Sequence, residues 1–308
     1  MPPAEKPRHR SGYGQEEFEQ VKAACLTVAV TLGAYLDDVC IVGGLVPALL
    51  IDSVRDTGDD EDPRHPGTND LDIGLALALL DDERYTEISA RLRAEGFAPD
   101  TNDAGNPTVQ RWRLGELKVT VDFLMPPAPE QAPTLRVQNL QPDFGALITP
   151  GLELAFDERV EVELDGHTLK GERTRRTIPV CGPAAFVVLK ALAFGDRGEP
   201  KDAYDLVYVI HHTPGRGRVI AERLVRHALR EAVIVDDALN LLARDFDAPD
   251  AIGPRRAAQF TVAGASGSTT RPQTPTVSSM TSCAPGQHFA RPRTSDRPRT
   301  VNLRPLSS

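Results

Sequence analysis

Residues 39–76 read VCIVGGLVPALLIDSVRDTGDDEDPRHPGTNDLDIGLA, and the rest of the chain is organised around them. The stretch opens with four apolar residues, Val39, Cys40, Ile41 and Val42, of strand type. Gly43 and Gly44 follow, and residues 45–54 are apolar and long enough for a helix. A strand that turns through Gly-Gly into a helix leaves unpaired backbone N–H groups at the helix start, where the helix dipole favours an anion such as phosphate. Two residues without side chains let a bulky triphosphate come close. A polar loop then leads to a second apolar run that begins with Asp70 and Asp72. Residues two apart on a strand share a face, so both carboxylates project together. Paired carboxylates repel unless a cation joins them, and Mg²⁺ is the hard cation that bridges carboxylates to substrate phosphates.

A third carboxylate fits the same picture. Residues 117–124, LKVTVDFL, alternate as a strand, with Val119, Val121 and Phe123 on one face and Asp122 on the other. If this strand lies beside the Asp70–Asp72 strand, three carboxylates converge. Each piece alone has an ordinary alternative. Gly-Gly serves plain tight turns, and Asp-x-Asp is common in solvated strand ends. Their order along the chain is what gives them weight.

Together these residues resemble the nucleotidyltransferase superfamily related to DNA polymerase β. Residues 186–210, FVVLKALAFGDRGEPKDAYDLVYVI, resemble more narrowly its AbiEii/AbiGii toxin branch, in which a lysine-bearing helix precedes an arginine and a Lys-Asp-x-x-Asp-Leu run. Those residues are Lys190, Arg197, Lys201, Asp202, Asp205 and Leu206 here. The superfamily often carries Arg-x-Ser/Thr-x-Asp before the carboxylate pair. Thr68 matches that pattern, while Pro66 stands at the arginine position and Arg64 two residues earlier.

The resemblance implies a Mg²⁺-dependent transfer of an NMP from an NTP to an acceptor hydroxyl. It places metal on Asp70, Asp72 and Asp122, and nucleotide on Gly43, Gly44, Thr68, Lys190, Arg197, Lys201, Asp202 and Asp205. Lys190 would neutralise the departing pyrophosphate. The acceptor would be RNA, protein or a small molecule, and the setting a toxin–antitoxin or phage-defence system with an antitoxin partner. Two other classes stay open: a small-molecule (antibiotic) adenylyltransferase, and a non-catalytic member that binds a nucleotide or a partner. The residues have bland readings too. Lys190 sits among apolar neighbours and either snorkels to the surface or reaches a triphosphate. Lys201 and Asp205 are spaced i, i+4, as in an ordinary helical ion pair.

Composition narrows the class. The 308 residues carry 35 Lys and Arg against 44 Asp and Glu, a net charge of −9. The last 48 residues hold six arginines and one acid, Asp296, so the tail carries +5 and the remainder −14. A body that acidic argues against a nucleic-acid groove. Cys25, Cys40, Cys181 and Cys283 form no Cys-x-x-Cys pair, which leaves zinc without support and points to reduced thiols in a cytoplasmic protein. The polar N-terminus lacks an apolar signal core, and no apolar run approaches a membrane span. A Walker-type Gly-x-x-x-x-Gly-Lys-Ser/Thr is absent, against an ordinary NTPase.

The fold expected is α/β (α+β), a small mixed sheet flanked by helices and followed by a helical segment. Its divisions are a disordered 1–14, a core of 15–180, a helical 181–260 and a disordered 261–308. Helices are expected over 15–36, 81–95, 183–194, 201–212, 219–229 and 231–246, with Gly96 as a stop. Strands are expected over 71–77, 109–114, 117–124 and 177–181. Residues 125–150 read as irregular, and 152–164 as a strand running into an Asp165-Gly166 hairpin turn.

Overall fold

The structure is a computed structural model. It describes residues 7–52, 64–76, 82–102, 104–115, 117, 119–128 and 135–262. Most of the polar loop before Asp70 (residues 53–63), residue 116 between the strands expected over 109–114 and 117–124, and the basic tail from residue 263 lie outside the described residues.

The first helix, α1 (Gln15–Leu32), buries Val21, Ala24, Cys25, Val28 and Leu32, the stripe its periodicity anticipates. Gly33 ends it with φ +55, and a 3₁₀ segment, Gly33–Asp38, delivers the chain to β1 (Val39–Val42), buried throughout. The chain then runs through β2 (Asp70–Leu75), α2 (Asp82–Ala94), β3 (Phe97–Thr101), β4 (Pro107–Leu114) and β5 (Thr120–Met125). A hairpin of β6 (Arg136–Gln141) and β7 (Phe144–Ile148) follows, then a short α3 (Glu153–Asp157). The long strands β8 (Arg159–His167) and β9 (Arg173–Cys181) precede five helices. These are α4 (Pro183–Arg197), α5 (Pro200–His212), α6 (Arg216–Ala228), α7 (Ala232–Asp245) and α8 (Ile252–Val262).

The strands form one mixed sheet in the order β3-β4-β5-β2-β1-β9-β8, with β7 added parallel to the end of β5 and β6 outside it. The centre combines antiparallel β1–β2 with parallel β2–β5 and β1–β9. Helix α1 lies against β2, β8 and β9, and α2 against β3 and β6. Helices α4 to α8 pack on one another, α5 against both α4 and α8. The fold is therefore α/β with a mixed sheet flanked by helices, as expected.

One apolar core runs through the sheet. At its β4–β5–β7 end Trp112, Phe123 and Phe144 meet edge to face, with centroids 5.0 to 6.4 Å apart. Such pairs contribute about 0.5–1.5 kcal/mol each beyond the area they bury. The start of α4 is fixed from outside the helix. The Glu158 carboxylate accepts hydrogen bonds from the Ala184 and Ala185 N–H groups and pairs with Arg223 and His227. Pro183 opens the helix and Gly198, left-handed, closes it.

Several expectations are corrected. Residues 45–54 do not form one regular helix: a 3₁₀ turn, Gly43–Leu45, runs on into a π-helical turn, Ala48–Asp52, wedged into the core. Residues 125–150 are not irregular, since they carry the β6–β7 hairpin, whose register was hidden by a slip between Asn139 and Gln141. The Asp165-Gly166 pair is not a turn but part of β8. The chain reverses at residues 168–171, where Gly171 has φ +82. Residues 153–157 are helical rather than extended. Strand β3 and helix α8 had no sequence signal strong enough to be expected. A 3₁₀ turn spans Arg10–Gly12.

Candidate active site

The site begins with a row across four strands. Val42 of β1 pairs with Asp72 of β2, Asp72 with Asp122 of β5, and Asp122 with Arg111 of β4. Register partners on neighbouring strands point to the same face. Asp72, Asp122 and Arg111 therefore stand side by side, with Asp70 two residues along β2 on the same face. Asp70, Asp72 and Asp122 each offer an oxygen, and these oxygens lie within 4.8 Å of one another.

Gly43 makes this approach possible. Its φ is +69, and a Cβ there would lie 1.8 Å from the Asp72 Oδ2. The absent side chain leaves room for the carboxylate itself, against the turn that ends β1. Gly44 plays a different part. A Cβ on it would meet Thr68 Oγ1 at 2.7 Å and Lys201 Nζ at 3.3 Å. Gly44 thus packs against the layer behind the cleft, where the Thr68 hydroxyl donates to Asp70 Oδ1 at 2.6 Å.

A cleft of about 660 Å³ opens over the row. Gly43, Asp72, Asp122, Arg111, Lys190 and Arg197 line one part of it. The sequence candidates thus divide. Gly43, Asp72, Asp122, Lys190 and Arg197 face the cleft, and Asp70 joins the carboxylate trio. Gly44, Thr68, Lys201, Asp202 and Asp205 form the buried layer behind.

That layer is an ion-pair network. Lys190 Nζ lies 2.8 Å from Asp202 Oδ1 and 2.9 Å from Asp205 Oδ2. Arg197 forks Asp202 at 2.6 and 2.9 Å, and Lys201 holds Asp205 at 3.0 Å. Three cations thus face two carboxylates, and the excess positive charge lies near the acidic trio. Burial opposes the Lys190 charge, but Asp202 and Asp205 outweigh it and raise its pKa. Lys201 moves the other way: burial dominates, because the single carboxylate it holds is shared with Lys190. Burial alone would raise Asp202, yet Lys190 and Arg197 bring it down to about 2.

Two residues of the site carried no sequence signal. Arg111 forks Asp122, Nε to Oδ1 at 2.7 Å and a terminal nitrogen to Oδ2 at 2.8 Å. That bond, with the field of Asp70 and Asp72, raises the guanidinium pKa and keeps it charged. Only the hairpin register places it there. His65 is buried, with Nε2 2.8 Å from Asp205 Oδ1, while Nδ1 accepts from the Gly67 N–H at 3.1 Å. That acceptor role at Nδ1 fixes the Nε2–H tautomer of the neutral ring. Burial, the largest influence, lowers its pKa to about 4. The His65 backbone N–H donates to Asp52 Oδ2, and the ring contacts Tyr204 and Tyr208 of α5.

The donor set suits a hard divalent cation: three carboxylates, all oxygen, converging from two adjacent strands. The fit to Mg²⁺ rests on that chemistry. Cys25, Cys40 and Cys181 are buried and free, away from any such set. Among the described residues no helix is long and apolar enough to cross a membrane.

No protein-family model matches the chain, and no curated protein matches it. Among solved structures, the chain is similar to the antibiotic-resistance factor ANT(2'')-Ia, determined in solution. The identity is 11% and the TM-score 0.36, over 72% of this chain and 97% of that one.

Proposed function

We propose that the protein is a nucleotidyltransferase that moves an NMP from an NTP to an acceptor hydroxyl. The single observation that carries this reading is the convergence of Asp70, Asp72 and Asp122 opposite Lys190 and Arg197 across one cleft. The acceptor oxygen attacks the α-phosphorus, the new O–P bond forms as the bond to the bridging oxygen breaks, and pyrophosphate leaves. Asp70, Asp72 and Asp122 would hold Mg²⁺, which when bound neutralises phosphate charge and activates the attacking oxygen. Asp122, held in the fork of Arg111, would take up the acceptor proton and pass it to solvent. Lys190 and the exposed edge of Arg197 present positive charge to the departing pyrophosphate. The turn at Gly43, which makes room for the Asp72 carboxylate, lines the cleft where the phosphates would lie.

The AbiEii-like resemblance proposes a toxin, with RNA or protein as acceptor and an antitoxin as partner. A specific observation favours a second reading, a small-molecule acceptor. Beyond the charged end, the cleft is walled by Leu124, Leu147, Leu189, Leu192 and Ile234, with Asp196 and Asp237 at its edge. That aliphatic, acid-edged half offers nothing to a phosphate backbone, and the −14 body repels one. The intact trio argues against a non-catalytic binder.

Incubation with each α-labelled NTP and Mg²⁺, alone and with cell extract, tests the reading. Label in a small-molecule fraction supports the second reading, and label in RNA or protein the first. No labelled product with any NTP removes the enzyme reading.

A further inference from the structure

The Arg111–Asp122 pair belongs to no motif, and its geometry goes beyond a generic ion pair. Both carboxylate oxygens are engaged, each by a different nitrogen of one planar guanidinium. Such a fork fixes the plane of the carboxylate as well as its charge. Asp122 has its side chain only 14% exposed, and Arg111 31%. Across the sheet from Arg111, the row continues to Asp72, so the carboxylate held by the fork stands beside the other two.

From this we infer that Arg111 is a positioning residue for Asp122. It holds the carboxylate in the orientation that a metal and an attacking hydroxyl require, and it does so at a cost in metal affinity, because it places a fixed cation beside the ligands. The inference rests on the nucleotidyltransferase reading for its catalytic consequence but not for its metal consequence. Orientation and charge act in opposite directions here. Loss of the guanidinium relaxes the carboxylate, which slows turnover. The same loss removes a repelling charge, which tightens a divalent cation.

The experiment uses the full-length chain and the variants Arg111→Met, Arg111→Lys and Arg111→Ala. Mn²⁺ affinity is measured by electron paramagnetic resonance without nucleotide, and kcat and KM for the preferred NTP separately. Arg111→Met is expected to bind Mn²⁺ up to about tenfold tighter, the effect of removing one charge some 5 Å from a divalent ion in a water-like dielectric. Its kcat is expected to fall by about 10–100-fold, the usual range for a lost partner of a metal ligand, with KM for NTP little changed. Arg111→Lys, which keeps charge without the fork, should retain wild-type Mn²⁺ affinity and still lose turnover. Added guanidinium should restore part of the turnover of Arg111→Ala, and methylammonium should not.

Weaker Mn²⁺ binding by Arg111→Met would overturn the inference, since the residue would then merely support the fold of the site. A raised KM with kcat preserved would overturn it in favour of direct nucleotide contact. If the wild-type protein transfers no nucleotide, the Mn²⁺ affinities of Arg111→Met and Arg111→Lys still decide whether Arg111 acts on Asp122 as stated. Should Arg111→Met fail to fold, Arg111→Lys with the guanidinium rescue of Arg111→Ala carries the test.

Discussion

Asp72 and Asp122 are register partners on adjacent parallel strands, 50 positions apart in the chain and neighbours across one ladder. Two like charges in that relationship destabilise a sheet unless cations compensate. Arg111 on the far side of Asp122, and Arg197 reaching in from α4, supply part of that compensation. The arrangement therefore trades stability for a site.

Replacement of Asp72 with Asn follows from that trade. On the proposed function it removes a charged metal ligand, and it takes away one member of a mutually repelling trio. Mg²⁺-dependent labelling should be nearly abolished, while the metal-free melting temperature stays level or rises. Persistence of Mg²⁺-dependent labelling in Asp72→Asn would remove the catalytic role of the trio.

The resemblance gives Lys190 a phosphate role, whereas in the structure its partners are carboxylates. It is a buried cation between Asp202 and Asp205. Lys190→Ala leaves two buried carboxylates short of a partner, which costs about 3–5 kcal/mol by precedent for broken buried pairs. Chemical denaturation should register that loss. NTP affinity therefore has to be compared with a Lys190→Met, Asp205→Asn double variant, in which the charge imbalance is smaller. Lower NTP affinity in that folded double variant supports a phosphate role; unchanged affinity leaves Lys190 as a structural cation.

The His65 ring gives a pH dependence of definite sign. Its folded pKa, about 4, lies below the ordinary 6.5. Above pH 6.5 the ring is neutral folded or unfolded, and stability is flat. As pH falls from 6.5 toward 4 the unfolded chain binds the proton first, so stability drops. The loss saturates below about pH 4 at roughly 3 kcal/mol. Asp202, held down near 2 by Lys190 and Arg197, adds its own loss below its ordinary 3.8. In His65→Gln the slope between pH 6.5 and 4 should flatten. An unchanged slope would place the acid sensitivity elsewhere.

Gly43→Ala tests the turn. The left-handed backbone costs an L-residue about 1–2 kcal/mol, and the new methyl occupies the position of Asp72 Oδ2. Activity should fall further than stability, because the collision displaces a carboxylate of the trio. Gly115→Ala is the control: its φ is +52, but a Cβ there meets nothing within 4 Å. Equal effects of the two on labelling would show that strain alone, and not Asp72, is responsible.

What the sequence determined by itself was local. Period-two alternation puts Asp70 and Asp72 on one strand face and Asp122 opposite Val121 and Phe123. Pro183 and Gly96 mark helix ends because their backbone preferences need no partner. The mixed α/β class follows from such signals added along the chain. What the tertiary structure decided was everything that depends on pairing across distance. Strand order sets Asp122 beside Asp72, and hairpin register sets Arg111 beside Asp122. The packing of α4 on α5 turns Lys190 from a lysine in an apolar run into a buried cation between two carboxylates. Burial of His65 between residues 64–69 and α5 selects its neutral tautomer. Register and packing are set by non-local burial, and residues such as Arg111 and His65 look the same in sequence whether they meet a carboxylate or water.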